Sequence, residues 1–102
     1  MKLNQLQIDI LNILSKRELV QLDIILLLES REGRGKPSLS SFYTAMKKLK
    51  RLELISGRWG SRPDLYSGSV EFYAVSETGY KVIKSLKIQF KKQEAVFCNK
   101  QL

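Results

Sequence analysis

SLSSFYTAMKKLKRLELI, residues 38–55, carries two patterns at once. Leu39, Phe42, Met46, Leu49 and Leu52 recur every three or four residues, the spacing of one buried helix face. Four of the five residues from Lys47 to Arg51 are basic. Wound as a helix, the stretch gathers Leu39, Phe42, Ala45, Met46, Leu49 and Leu52 on one side. Ser40, Thr44, Lys47 and Arg51 fall on the opposite side, with Tyr43 and Lys48 at its borders. Ser38 or Ser40 supplies an N-cap hydroxyl for an orphan backbone N–H, and the helix is predicted to run to about Leu52.

The outward face begins with small hydroxyls and ends in long cations. Small polar residues let a helix approach a groove, and hydroxyls and N–H groups there bond phosphates or base edges. Lysine and arginine further along reach the flanking phosphates. That is the division of labour of a recognition helix in a major groove. A solvated, lysine-rich surface gives the same pattern, since basic residues near a helix C-terminus complement its dipole. The following hairpin favours the groove. Arg58 and Arg62 flank Trp59 there, placing a second set of cations beside the helix. Trp59 itself reads first as a ring packed on the hairpin or at a subunit contact, ahead of base stacking.

The rest of the chain builds a small domain around this segment. Its 102 residues suffice for one core, with 43% apolar and 27% charged residues, ordinary for a globular protein. The longest apolar run, Ile24 to Leu28, is far too short to span a bilayer, and the N-terminus does not read as a signal peptide. A single cysteine, Cys98, cannot form an internal disulfide, which suits a cytoplasmic protein. The net charge of +8 is unevenly placed. From Arg31 to Arg62 nine basic residues stand against two acidic ones, a net +7, and Lys81 to Lys100 adds six against one, a net +5. The first thirty residues carry −1 and Pro63 to Tyr80 carries −3. Such concentration is an electrostatic footprint for a polyanion.

Leu3, Leu6, Ile10, Ile13 and Leu14 predict a first helix over 3–14. Ser15-Lys16-Arg17-Glu18 has capping-box spacing, so a second helix is expected to begin there and run to Glu29 or Arg31. Its all-round apolar run at 24–28 calls for cover by the core or by a partner subunit. Glu32 to Pro37 is a loop by its glycines and proline. Leu54 to Trp59 and Ser69 to Ser76 read as strands joined by the turn-rich GSRPDLYSGS. A fourth helix begins near Glu77, capped by Ser76, with Ile83, Leu86 and Phe90 on one stripe and Lys84, Lys87 and Lys91 on another. The fold expected is mainly α with a small β-hairpin, a winged helix-turn-helix in the order α-α-α-β-β-α. Residues 1–80 would form the DNA-binding domain, and 77–102 a C-terminal helix continuous with it.

At these residues the chain resembles the PadR-like winged-helix transcriptional regulators, from about Asp9 to Leu86. The third-helix pattern is present as Tyr43, Met46, Lys47, Lys48 and Leu49, the helix-to-strand junction as Leu54-Ile55, and the second strand and its exit as Tyr73-Ala74-Val75-Ser76-Glu77-Thr78-Gly79. Gln21-Leu22 stands where the family usually has glycine-tyrosine. Glu53 stands where it has glycine, so the tight turn there must be made differently. The resemblance implies a cytoplasmic homodimer, with a short C-terminal branch as its dimerisation helix, that binds near-palindromic operators, usually as a repressor. Ser40, Ser41, Tyr43 and Thr44 would approach bases or nearby phosphates. Lys47, Lys48, Arg51, Arg58 and Arg62 would supply backbone attraction, extended by Arg34 and Lys36, with Lys50 closer to the core edge. Independently, Ile83, Leu86, Phe90 and Phe97 form a stripe that would be exposed unless a second copy covers it.

Other functions fit less well. The absence of histidine removes the commonest general base and most zinc sites. Pro63-Asp64 followed by Glu71-Phe72-Tyr73 resembles a metal-dependent nuclease pattern, but Tyr73 stands where the lysine is needed. A winged helix used for protein docking or RNA binding is the alternative, because fold alone does not fix function. Some relatives bind planar molecules against aromatic side chains, and Trp59, Tyr66, Phe90 and Phe97 supply aromatics. The sequence neither requires nor excludes such an effector, and implies no metal or organic cofactor.

Overall fold

The computed structural model describes residues 2–30, 35–62, 64 and 68–86. Helix α1 spans Gln5–Leu14. It opens with a capping box in which the Asn4 side chain accepts from the Gln7 N–H at 2.9 Å and the Gln7 side chain accepts from the Asn4 N–H at 2.8 Å. Its core face is Ile10, Leu11 and Leu14.

The Ser15 capping box does not form. Ser15 closes α1 instead, its hydroxyl donating to the Asn12 carbonyl at 2.7 Å. The chain then extends through a two-residue strand, β1 (Leu19–Val20), before helix α2 (Gln21–Glu29). Both β1 side chains are buried, so the apolar pair expected inside a helix is spent on a sheet edge. In α2 the core takes Ile24 and Leu28, while Leu22, Leu26 and Leu27 are left exposed.

Helix α3 spans Leu39–Arg51, with the Ser38 side chain accepting from the Ser41 N–H at 3.1 Å. Phe42, Ala45, Met46 and Leu49 are buried as the periodicity predicts, whereas Leu39 is 54% exposed. The helix ends in a Schellman motif: Glu53 N–H donates to the Lys50 carbonyl and Leu54 N–H to the Leu49 carbonyl, both at 3.0 Å. That motif needs a left-handed residue after the cap, and Glu53 supplies it at φ 59°.

Strands β2 (Ile55–Ser61) and β3 (Ser69–Val75) pair antiparallel from Ile55 opposite Val75 to Ser61 opposite Ser69. β3 also pairs with β1, Leu19 opposite Tyr73 and Val20 opposite Phe72, so the sheet has three strands in the order β1-β3-β2. Residues 77–86 form the described part of α4. Ser76 caps it, accepting from the Gly79 N–H at 3.0 Å while its own hydroxyl donates to the Glu53 carbonyl. A Cβ on Gly79 would lie 2.1 Å from the Leu54 carbonyl oxygen, so only glycine lets α4 start against the end of α3. The architecture is the expected winged helix, with one strand more than the sequence revealed.

Ile83 lies in the domain's own core at 5% exposure. It is therefore corrected from an interface residue to a core residue, since nothing of its side chain remains for a partner to cover. Leu86 is half-buried. Phe90 and Phe97 lie outside the described residues.

Candidate nucleic-acid interface

Burial of one side of α3 fixes what the other side presents. Ser40, Ser41, Tyr43, Thr44, Lys47 and Arg51 are all exposed. The Thr44 hydroxyl donates to the Ser40 carbonyl at 2.8 Å, leaving its lone pairs outward. The Ser41 hydroxyl accepts from that of Ser38 at 2.9 Å. Tyr43 is 52% exposed, with its ring edge-on to Phe42 and its hydroxyl accepting from Gln21 Nε2 at 2.9 Å. Among the described residues no carboxylate pairs with Lys47 or Arg51. Lys48 reaches back to the Lys2 carbonyl at 3.3 Å. Lys50 turns toward the sheet, 3.5 Å from the Glu71 carboxylate and over the Tyr73 ring. This matches its reading as a core-edge lysine.

The wing arginines are each engaged by carboxylates of the protein. Arg58 sits within β2, gives a two-pronged pair to Glu18, and stacks over the Phe72 ring 4.7 Å away. Glycine at position 60 leaves room for that stack, because a Cβ there would lie 2.9 Å from both the guanidinium and the ring. Arg62 pairs with Asp64 at 3.0 Å and with Asp23, on α2, at 3.1 Å. These hydrogen bonds, Asp64's first, hold the Arg62 guanidinium above its ordinary pKa, and the Arg62 guanidinium holds Asp64 below the usual carboxylate range. Both arginines thus serve as struts between the wing and the segment 18–23. Lys36 pairs with Glu29 at 3.3 Å, and Arg34 lies outside the described residues. Trp59 is 68% exposed, which sets aside packing on the hairpin and leaves the subunit contact of the two readings.

Neither carboxylate of the nuclease-like pattern is poised for chemistry: Asp64 is held by Arg62, and Glu71 accepts the Tyr73 phenol at 2.8 Å beside Lys50. Among the described residues no three His, Cys, Asp or Glu side chains gather to hold a metal, and no helix is long and apolar enough to cross a membrane. The sequence reading missed Gln21, Glu18 and Asp23. Their contacts span 22 to 40 positions along the chain, beyond the reach of any local pattern.

An exposed basic recognition-type helix, a three-stranded sheet and an attached wing define a winged helix-turn-helix protein. Its fold is that of the PadR-like transcriptional regulators. A PadR-like transcriptional regulator from Bacillus cereus is similar at TM-score 0.76 and 20% identity, over 92% of this chain and 88% of that one. A PadR family transcription regulator from Clostridium difficile is similar at 0.73 and 20%, over 94% and 97%. Bacillus subtilis PadR in complex with operator DNA is similar at 0.70 and 23%, over 83% of this chain and 48% of that one. No protein-family model matches the chain, and no curated protein matches it in sequence.

Proposed function

We propose that this chain is a sequence-specific DNA-binding transcriptional regulator, a repressor with no catalytic activity. It acts as a homodimer on an inverted-repeat operator. The observation that carries the reading is the outward face of α3, where Ser40, Tyr43 and Thr44 precede Lys47 and Arg51, open and without a neutralising carboxylate among the described residues. The hydroxyls approach base edges and adjacent phosphates, and the cations displace counterions from the backbone. Ser41 and Lys48 flank this contact, and Arg34 and Lys36, which precede α3 in the sequence, extend it. Arg58 and Arg62 tie the wing to the segment 18–23 and add backbone attraction only so far as Glu18, Asp23 and Asp64 release them. The Bacillus subtilis PadR–operator complex shares this fold, which supports duplex DNA as the partner. Dimerisation is assigned to the segment after Leu86, where Phe90 and Phe97 continue the apolar stripe.

A second reading has one observation in its favour. Leu22, Leu26 and Leu27 are exposed, and the last two line a groove of about 440 Å³ beside Asp23 and Arg62. A protein-docking module would use that apolar face and ignore duplex sequence. Selection of bound duplexes from a random pool separates the two. An enriched inverted repeat supports the regulator, and a pool left unenriched favours docking.

A further inference from the structure

We infer that Gln21, at the first position of α2, is a positioning residue that commits the Tyr43 hydroxyl to donate its proton to a DNA phosphate. The inference rests on the proposed duplex-binding role of α3. Its basis is the direction of one hydrogen bond. Gln21 Nε2 lies 2.9 Å from the Tyr43 oxygen, so the amide is the donor and the phenol oxygen the acceptor. A phenol has one proton to give, and none of it is spent on this bond. An amide N–H lodged on the oxygen also occupies one lone-pair direction and stops the hydroxyl from turning back against the protein.

Among the described residues no protein group accepts that proton. Tyr43 is half-exposed on the outward side of α3, and its ring is fixed edge-on against buried Phe42 with centroids 5.8 Å apart. The contact bridges the start of α2 and the first turns of α3, the two elements whose N-terminal ends face a duplex in a helix-turn-helix. Phosphate oxygens accept hydrogen bonds and donate none. A tyrosine held as a donor therefore suits them, whereas one whose proton is drawn inward presents lone pairs to an anion and repels it.

The test is a double-mutant cycle on a fluorescein-labelled duplex of arbitrary sequence at low salt, with Tyr43→Phe, Gln21→Ala, Gln21→Glu and the two combinations with Tyr43→Phe. Tyr43→Phe should weaken binding about tenfold and Gln21→Ala about threefold, the range of one hydrogen bond to a charged group and of one neutral support. The salt dependence should not change, since neither residue displaces a counterion. In the Tyr43→Phe background Gln21→Ala should have no further effect. Gln21→Glu, whose carboxylate draws the phenol proton inward, should be worse than Gln21→Ala, and part of that deficit should vanish with the hydroxyl. Equal effects of Gln21→Ala in both backgrounds, or a Gln21→Glu variant that binds as tightly as the wild type, overturns the inference while the duplex-binding reading stands. A wild-type protein that binds no duplex overturns that reading itself.

Discussion

Glu53 occupies a backbone conformation, φ 59°, that costs a side-chain-bearing L-residue on the order of 1–2 kcal/mol. The Schellman hydrogen bonds of Glu53 and Leu54, together with the buried Leu49 and Leu54 side chains, hold it there. Replacing it with glycine removes that strain and costs about 0.5–1 kcal/mol in unfolded-chain entropy. Glu53→Gly should therefore match or modestly exceed the wild type in urea denaturation, while Glu53→Val should fall below it by about 1–2 kcal/mol. At the same scale, the Tyr73 phenol is pushed up to about 12 from 10.0, first by burial and then by donating to Glu71. Its neutral form is the stabilised one. That contribution is complete below pH 10 and is lost as pH rises through about 12. Alkaline unfolding of the wild type should steepen in that window, and Tyr73→Phe should remove the steepening.

Each element was legible in the sequence to the degree that its own period was long enough to register. α3 shows its buried face over thirteen residues, and Ser38 marks its start. β3 carries strand-forming residues on both faces over most of its seven residues, whereas β2 shows no alternation and was legible chiefly from the turn-rich stretch that follows it. β1 has two residues, too few for any period, so Leu19 and Val20 were absorbed into an expected helix. The Ser15 spacing misled because a serine closes a helix as readily as it opens one. The cations of the site were visible, but their partners were not. Only the folded sheet brings Glu18 to Arg58 and Asp23 to Arg62. Two predictions belong here. Glu18→Gln should lower the melting temperature by loosening the wing and steepen the salt dependence of DNA binding by freeing Arg58, whereas Asp23→Asn should lower the melting temperature but leave the salt dependence unchanged, because Asp64 still holds Arg62. Gly79→Ala should destabilise the fold by about 1–3 kcal/mol in urea, because its Cβ meets the immovable Leu54 carbonyl.

For the molecule as a whole, the charge distribution and the fold point to one partner. The segment with net charge +7 contains α3 and the whole of β2, and the core beneath them is continuous from α1 to α4. A homodimer would set two copies of α3 about 34 Å apart, one helical turn of duplex, so half-site spacing follows from protein symmetry. Sedimentation equilibrium should therefore return twice the 11.8 kDa chain mass. The central claim is that the open face of α3 is the surface that binds DNA. The most direct test is a duplex titration of the wild type and the Lys47→Glu/Arg51→Glu double variant across a range of salt. The logarithm of the wild type's affinity should fall linearly with the logarithm of the salt concentration. The variant should lose about a hundredfold or more while remaining folded, its melting temperature lowered only modestly by a carboxylate at the C-terminal end of α3. A double variant that binds as tightly as the wild type, with the same salt dependence, would contradict the account.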